Sequence, residues 1–280
     1  MLDVVDSLSV PGNPEKANED ALATSGSAVV VMDGATGLGD SLMPGKSDAA
    51  WLSTFGSRRL MAHIRDGATP RDAVTAALFD AQTSFEALRK RPPAETWETP
   101  FASMMLIAQN AAGAEALWFG DCAALVKRPN TAVALIGEAM DKRQNEARRA
   151  ARLAEKHSLS PATNIRRPEI LEALRKARNF VNTDGHWAFG PDVRAADHVS
   201  GMQIDAPKGT LILLCSDGFL ALASDYNAYD ADALMDAAQS KGLKALAEEL
   251  RAIERDDPDG RKFPRFKTSD DATALLVRVA

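Results

Sequence analysis

The stretch Val29-Val30-Val31-Met32-Asp33-Gly34-Ala35-Thr36-Gly37-Leu38-Gly39 decides the fold. Its first four residues are apolar and mostly β-branched, which predicts a buried strand that ends at an acid followed by glycine. A carboxylate at the end of a buried strand is costly to desolvate unless a cation meets it. The neighbouring glycine lets the backbone turn and lets its carbonyl approach a ligand closely. Taken alone, the stretch is also compatible with an ordinary Asp-Gly turn.

Acids recur beside apolar runs along the rest of the chain. Two further apolar runs end in an acid, and two pairs of acids come just before an apolar run. These positions are Asn18-Glu19-Asp20, Gly120-Asp121-Cys122, Ser216-Asp217-Gly218 and Asp270-Asp271-Ala272-Thr273. Acids placed repeatedly at strand ends predict one shared acidic site.

In this order, the five segments resemble the motifs of the metal-dependent protein phosphatases, also called type 2C or PPM-type serine/threonine phosphatases. That family has an N-x-D segment, a strand into D-G, a G-D-S-like turn, a strand into S-D-G, and D-[DN]-x-[ST] before the last strand. All five occur here in order and span almost the whole chain. The resemblance implies an α+β fold, a four-layer α-β-β-α sandwich of two mainly antiparallel sheets flanked by helices.

The resemblance also implies an activity and its cofactors. It implies hydrolysis of phosphate monoesters on phosphoserine or phosphothreonine of a protein substrate, by in-line attack of a metal-bridging hydroxide. The cofactors would be two Mn²⁺ or Mg²⁺ ions, which all-oxygen ligands suit better than they suit zinc. Two carboxylates ~4 Å apart repel by about 4 kcal/mol at an effective dielectric constant of ~20. Clustered acids therefore either bind a proton or hold such cations between them.

Individual residues receive roles from the same resemblance. Asp33 would bridge both ions, Asp217 and Asp270 would bind one of them, and the Gly34 carbonyl would bind the other. These three aspartates are therefore the expected catalytic set. Glu19 and Asp20 would complete the metal shell, directly or through water.

Three positions depart from the family pattern. The arginine that holds phosphate in the family lies a few residues before the acidic pair, where this chain has Lys16, a point charge without the two-pronged grip of arginine. A third metal would use Asp121, but Ala221 stands where its second acid is expected. Ala35 replaces a histidine that follows the first D-G in many members.

Two alternatives remain open on these grounds. Ala35 and the missing arginine favour a catalytically silent relative that binds a phosphoprotein as a regulatory module. Separately, Cys122 and Arg128 have the C-x5-R spacing of cysteine-dependent phosphatases. That chemistry needs a phosphate-binding loop leading into a helix. The intervening Ala-Ala-Leu-Val-Lys instead predicts a strand.

Composition and net charge limit the classes of molecule that the protein is expected to bind. The chain has 280 residues, 45% hydrophobic residues and a net charge of −6, which predicts a globular protein that binds neither nucleic acid nor anionic membrane as its main partner. No apolar run reaches the ~20 residues that cross a bilayer, and no secretory signal is recognisable. With two cysteines, a cytoplasmic location is expected.

Hydrophobic periodicity predicts the elements between the motifs. Ser47 should cap a helix to about residue 65, and a second helix should follow Thr69-Pro70. Strands are expected at 2–10, 101–107, 114–119, 123–127 and 131–136. The strands at 123–127 and 131–136 should continue the sheet formed by those at 101–107 and 114–119. A helical region is expected at 232–253, and a loop at 256–267.

The charged segment at about 137–182 predicts a helical insertion within a single domain of 1–280. Its second helix would be anchored by Ile170, Leu171, Leu174 and Phe180. Its arginines, with Arg166 and Arg167 among them, indicate either a solvated face or a flap beside the acidic site that helps to select phosphoprotein substrates.

Overall fold

Two five-stranded sheets form the centre of the computed structural model, which describes residues 1–139, 168–183, 185–265 and 267–280. The strands are β1 (Leu2–Val10), β2 (Asp20–Thr24), β3 (Ala28–Gly34), β4 (Ala102–Asn110), β5 (Gly113–Phe119), β6 (Ala123–Lys127), β7 (Ala134–Ile136), β8 (Ser200–Ile204), β9 (Leu211–Cys215) and β10 (Ala272–Val279). The first sheet has the order β1-β10-β9-β6-β7 and the second has the order β2-β3-β4-β5-β8. All neighbouring strands pair antiparallel.

Helices cover the outer faces of both sheets. On one sheet lie α1 (Asp48–Arg65) and α2 (Pro70–Leu88). A further helix, α3 (Pro168–Arg178), contacts the turn Thr96–Glu98. On the other sheet lie α4 (Asp217–Ser224), α5 (Ala231–Ser240) and α6 (Leu243–Asp256). The start of α1 is fixed as the sequence predicts, because the Ser47 side chain accepts the Ala50 N–H at 3.2 Å. Thr69 caps α2 in the same way, with Pro70 in its first turn.

The alternation along each central strand builds three apolar layers. In β3, Val29 and Val31 pack between the two sheets, whereas Val30 and Met32 pack under α1 and α2. In β9, Ile212 and Leu214 enter the layer between the sheets, and the alternate residues Leu211, Leu213 and Cys215 pack under α4, α5 and α6. Both faces of these strands are buried, which explains why they are almost uniformly apolar. The predicted four-layer α-β-β-α sandwich is confirmed.

One predicted strand connection is wrong. Strands β6 and β7 were expected to continue the sheet of β4 and β5, but they pair within the other sheet, where β6 lies beside β9. The chain crosses between the sheets at the turn Gly120–Asp121, which follows β5 directly. This crossing places Asp121 at the end of the interface between the sheets.

The helices after β9 also differ from the expectation. The helical region expected at 232–253 consists of two helices, because the first helix ends at Ser240 and the next begins at Leu243. The helix α4 was not predicted at all, although it begins at the aspartate of Ser-Asp-Gly. Strand β8 was also missed, since its sequence Ser-Gly-Met-Gln-Ile carries little apolar alternation and lies at a sheet edge.

The charged segment is seen only at its end. Residues 140–167, including Arg166 and Arg167, lie outside the described residues, so the insertion at 137–182 stays a prediction. Within α3, Ile170 is buried and Leu174 is partly buried, as expected. Phe180 is 59% exposed, because α3 ends at Arg178 and the chain turns there, so its anchoring role was predicted wrongly. None of the helices described is long and apolar enough to cross a bilayer.

Gly218 permits the close packing of α4 against the start of β10. A Cβ atom at this position would lie 2.0 Å from the backbone oxygen of Asp271. Replacing Gly218 with Ala should therefore destabilise the fold by about 1–3 kcal/mol, which thermal melting would register as a fall of several degrees. Gly37→Ala is the matched control, because a Cβ there meets nothing closer than 4.0 Å. Equal melting temperatures for the two variants would contradict this packing.

Candidate metal centre

The centre lies where the layer between the two sheets opens to solvent. Asp33 continues the stripe of Val29 and Val31, so its carboxylate emerges from this apolar layer. The register of the sheet places Asp20 of β2 directly opposite Asp33. On the other side of Asp33, Ser103 of β4 is the paired residue. Like charges directly opposite each other in a sheet are destabilising, so this pairing of two aspartates needs compensation.

Three of the aspartates converge tightly. Asp33, Asp121 and Asp217 each offer a carboxylate oxygen, and these atoms lie within 4.8 Å of one another. Asp121 is oriented by Ser103, whose hydroxyl donates to its carboxylate at 2.5 Å and accepts its backbone N–H at 3.2 Å. Asp217 enters the group from the first turn of α4. Asp121, expected only as a ligand of a third metal, therefore belongs to the central group.

Asp20 lies buried behind this group, with only 6% of its surface exposed. Neither of its carboxylate oxygens has a hydrogen-bond partner of good geometry among the described residues. Burial raises the pKa of Asp20 well above its ordinary value, the nearby Ser216 hydroxyl lowers it in part, and the charges of Asp270 and Asp271 raise it further. A buried carboxylate in this state would be stabilised by a positive charge close to it.

The carboxyl pKa of Asp33 is raised in the same way as that of Asp20. Burial raises the pKa of its carboxyl well above the ordinary range, and Asp20, Asp217 and Asp270 add to the rise through their negative charges. The donors that surround it are carboxylate oxygens, which are the ligands that Mg²⁺ and Mn²⁺ prefer. The residues present therefore fit divalent cations of this kind.

Lys267 supplies a positive charge within the acidic group, and sequence reasoning missed it. Its ammonium donates to the Asp270 carboxylate at 2.6 Å. Burial alone would lower the pKa of Lys267, but the charges of Asp270, Asp33 and Asp217 raise it above the ordinary value. The ammonium therefore stays protonated at neutral pH. A metal ion that binds Asp270 must share this carboxylate with Lys267 or displace the ammonium.

The two acids of the C-terminal pair have different tasks. Asp271 turns away from the cluster, and its carboxylate accepts the backbone N–H groups of Gly12 and Glu19 at 2.7 and 2.6 Å. It thereby ties the N-terminal loop to the start of β10. Asp270 lines the cavity above the cluster, and Arg251 of α6 donates to its backbone carbonyl at 2.7 Å. The hydrogen bond from Arg251 and the bonds of the neighbouring Asp271 together fix the position of Asp270.

Glu19 and Gly34 occupy the positions beside Asp20 and Asp33. The Glu19 carboxylate accepts hydrogen bonds from the hydroxyls of Ser47, at 2.6 Å, and Thr36. It is therefore engaged with neighbouring hydroxyls. A Cβ on Gly34 would lie 2.7 Å from the backbone oxygens of Glu19 and Ala49. Glycine is required there because α1 passes so close, whereas the approach of the Gly34 carbonyl to a ligand stays a prediction.

Two adjoining cavities open above these residues. The acidic cavity, about 300 Å³ in volume, is lined by Asp33, Asp121, Asp217 and Asp270. The outer cavity, about 690 Å³ in volume, is lined by residues 12–17 and 35–41, and by the turn 97–100. Arg178 and Lys267 line both cavities. Lys16 is exposed and lines the outer cavity alone, so it stands apart from the cluster.

The cysteines do not form a second catalytic site. Cys122 and Cys215 are both fully buried. Burial raises the pKa of the Cys122 thiol well above its ordinary value and that of Cys215 to about 12. The residues after Cys122 form the strand β6, as predicted, and not a phosphate-binding loop. A thiolate nucleophile at Cys122 is therefore disfavoured.

Solved structures with the same arrangement of layers are phosphatases. The PPM Ser-Thr phosphatase MsPP from Mycobacterium smegmatis, solved in complex with cacodylate, superposes with a TM-score of 0.57 at 17% identity, over 99% of this chain and 100% of MsPP. The chain has the fold of the PPM-type phosphatases. The catalytic domain of PstP, solved with two manganese ions, gives 0.56 at 16% identity over 100% of both chains.

A third similar structure with the PPM fold is the photosystem II phosphatase PBCP, with a TM-score of 0.60 at 12% identity, over 100% of this chain and 99% of PBCP. The sequence itself matches no protein-family model and no curated protein. The likeness is therefore one of fold, and the chemistry must be argued from the residues of the cluster.

The charge state of the cluster predicts an unusual effect of substitution. Asp33→Asn should raise the melting temperature of the metal-free protein at pH 7 by roughly 2–5 °C, because it removes like-charge repulsion worth a few kcal/mol. Since the folded-state pKa of Asp33 is raised, the parent loses stability as the pH rises from about 4 through that pKa. The difference between variant and parent should therefore shrink as the pH is lowered.

Asp3→Asn is the control for this experiment, because Asp3 is an exposed carboxylate on β1. It should leave the melting temperature within about 1 °C of the parent, as expected for an exposed surface site. An Asp33→Asn variant that melts well below the metal-free parent at neutral pH would show that this carboxylate is structural.

Proposed function

We propose that this protein is a Mn²⁺- or Mg²⁺-dependent protein-serine/threonine phosphatase, a phosphoric monoester hydrolase. The observation that carries the proposal is the group of Asp33, Asp121 and Asp217 at the opening between the sheets of a PPM phosphatase fold. Charges this close need cations between them, and an acidic site that holds cations can in turn hold a phosphate ester.

The metal ligands in this proposal are Asp33, the Gly34 carbonyl, Asp217 and Asp270, with Asp20 behind them. Two divalent ions bound there would activate water for attack on phosphorus and stabilise the charge that develops in the transition state. Asp33 is the proposed bridging ligand, which agrees with its central place between Asp20 and Asp217. Arg251 and Ser216 support the set by contacting Asp270 and Asp20.

Two expected ligands take modified roles. The hydrogen bonds of Glu19 to Ser47 and Thr36 favour a positioning role, or contact with metal through water. Asp121 lies close enough to Asp33 and Asp217 to serve as a ligand of the central group. A separate third site lacks an acid at Ala221, which lines the acidic cavity.

The proposed substrate is a phosphorylated protein. The outer cavity adjoins the acidic cavity and is more than twice as large, so it offers room for residues on either side of a phosphorylated side chain. The buried, unpaired cysteines suit a reducing compartment, for which we propose the cytoplasm.

The alternative of a silent, phosphoprotein-binding relative is favoured by two observations. Ala35 offers no proton to a leaving group, and Lys267 already pairs with Asp270. Against it stand the buried aspartates with raised pKa values, which destabilise a protein that never binds a cation. Turnover in the presence of metal distinguishes the two functions.

Metal dependence provides the test. Hydrolysis of p-nitrophenyl phosphate should require Mn²⁺ or Mg²⁺, stop on addition of EDTA, and survive thiol alkylation. Asp217→Asn and Asp270→Asn should each lower the rate by about a hundredfold or more, because each removes a ligand charge. Full activity in chelator, or complete loss on alkylation, would contradict the proposal. Metal binding without turnover of any phosphoester would establish the silent alternative.

A further inference from the structure

We propose that Arg178, the last residue of α3, binds the phosphoryl group of the substrate, in the role that the family resemblance gave to Lys16. The inference rests on the proposed phosphatase function. It assigns a substrate contact to a residue from the charged segment, which lies far from the acidic motifs in the sequence.

The first support is position. Arg178 lines both the acidic cavity and the outer cavity, so it stands where a phosphate ester would pass from one to the other. It shares the wall of the acidic cavity with Asp33, Asp217 and Leu174. Leu174 precedes it by one helical turn, so Arg178 continues the inward face of α3.

The second support is its unused hydrogen-bonding capacity. One N–H group of the Arg178 guanidinium donates to the Thr36 carbonyl at 2.8 Å. Among the described residues no other hydrogen bond or ion pair involves this side chain, although a guanidinium carries five N–H donors. Glu19 attracts it at longer range, but the Glu19 carboxylate already accepts from two hydroxyls. Several donors thus remain for an anion in the cavity.

The third support comes from comparison with the other basic side chains of the acidic cavity in the described residues. Lys267 pairs with Asp270 at 2.6 Å. Arg265 pairs with Asp257 at 2.9 Å and also donates to the backbone carbonyls of Phe263 and Thr268. Arg178 alone among these three lacks a close carboxylate partner. Burial lowers the pKa of Arg178 to about 10 and Glu19 opposes this, so the side chain stays charged at neutral pH.

A second arginine of α3 contacts the loop after Gly34 but lines neither cavity. Arg175, one turn earlier, donates two N–H groups to the Leu38 carbonyl at 3.1 and 2.6 Å. Its guanidinium also stacks on Trp97, 4.1 Å from the ring centroid. Both arginines therefore hold α3 on the loop that follows Gly34, but only Arg178 can also contact an anion. A donor fixed before the substrate arrives loses little conformational entropy on binding it.

The geometry of the guanidinium suits this ligand. Its planar fork can donate two parallel hydrogen bonds to two phosphoryl oxygens, which a lysine ammonium cannot do. Lys16 lies exposed in the outer cavity and is not preorganised by any hydrogen bond of its side chain among the described residues. The arginine that the family carries near its acidic pair is thus replaced from a different part of the fold.

The test uses the full-length, Mn²⁺-loaded protein and two readouts. The first is the inhibition constant of inorganic phosphate together with KM for p-nitrophenyl phosphate. The second is calorimetric binding of inorganic phosphate, which requires no turnover. Arg178→Gln should weaken phosphate binding and raise KM by about tenfold or more, as for loss of hydrogen bonds to a charged group. Arg178→Lys should recover part of the loss.

Arg175→Gln is the matched control, because it removes the contacts of α3 with Leu38 and Trp97 without removing a hydrogen-bond donor from the cavity. It should lower the melting temperature while leaving phosphate affinity within about twofold of the parent, as for a site outside the contact. An unchanged phosphate affinity in Arg178→Gln overturns the inference. So does an equal loss in Arg175→Gln, which would mean that the placement of α3 matters and the guanidinium does not. A loss in Lys16→Ala with Arg178→Gln unaffected would return the role to Lys16.

The two readouts separate this inference from the function on which it rests. A parent protein that hydrolyses no phosphoester, but binds phosphate in an Arg178-dependent way, contradicts the phosphatase proposal and supports the anion site. A parent that hydrolyses phosphoesters with equal KM in parent and Arg178→Gln supports the phosphatase and overturns the anion site.

Discussion

Repulsion between carboxylates is the constraint on which the site depends. Two antiparallel strands place Asp20 directly opposite Asp33, and the turn after β5 and the start of α4 bring Asp121 and Asp217 to the same point. The apolar layer between the sheets withholds water from one side of this group, so burial and mutual repulsion both raise the pKa values of Asp20 and Asp33. The surrounding sheets hold the acids in place at a cost in stability, and this cost is the physical argument for bound cations. Lys267 offsets only part of it, through Asp270.

Much of the fold could be predicted because its patterns are local. Apolar runs that end in acids marked the central strands, and Ser47 and Thr69-Pro70 marked the starts of α1 and α2. The partner of each strand could not be read in the same way, since β6 is as apolar as β4 and either sheet would bury it. The break between α5 and α6 was missed because apolar spacing alone does not show where a helix ends. The helix α4 was missed because its eight residues are too few to show a helical spacing clearly.

The site was predictable where it rested on acids and glycines, and less so where it rested on side-chain direction. The convergence of Asp33 with Asp217 followed from their places at strand ends. The contact of Gly34 with the backbone of α1 was not expected, since the sequence suggested only that its carbonyl would approach a ligand. The sequence did not reveal that Asp271 would bond to the backbone N–H groups of the N-terminal loop. Lys267 was missed because a single basic residue in a polar loop usually faces solvent. Arg178 belongs to the charged segment for which a flap beside the acidic site was one of two interpretations, but it was not singled out from the other arginines. Arg178 did carry a signal, since its spacing from Leu174 and Leu171 continues the inward face of α3.

The most direct measurement of the central claim is anomalous scattering from a crystal of the protein grown with Mn²⁺. The account predicts two manganese peaks between the carboxylates of Asp33, Asp217 and Asp270, with Asp33 in contact with both and the Lys267 ammonium displaced from Asp270 or sharing it. A crystal that contains Mn²⁺ but shows no peak at this group, with Lys267 still paired to Asp270 alone, would contradict the account.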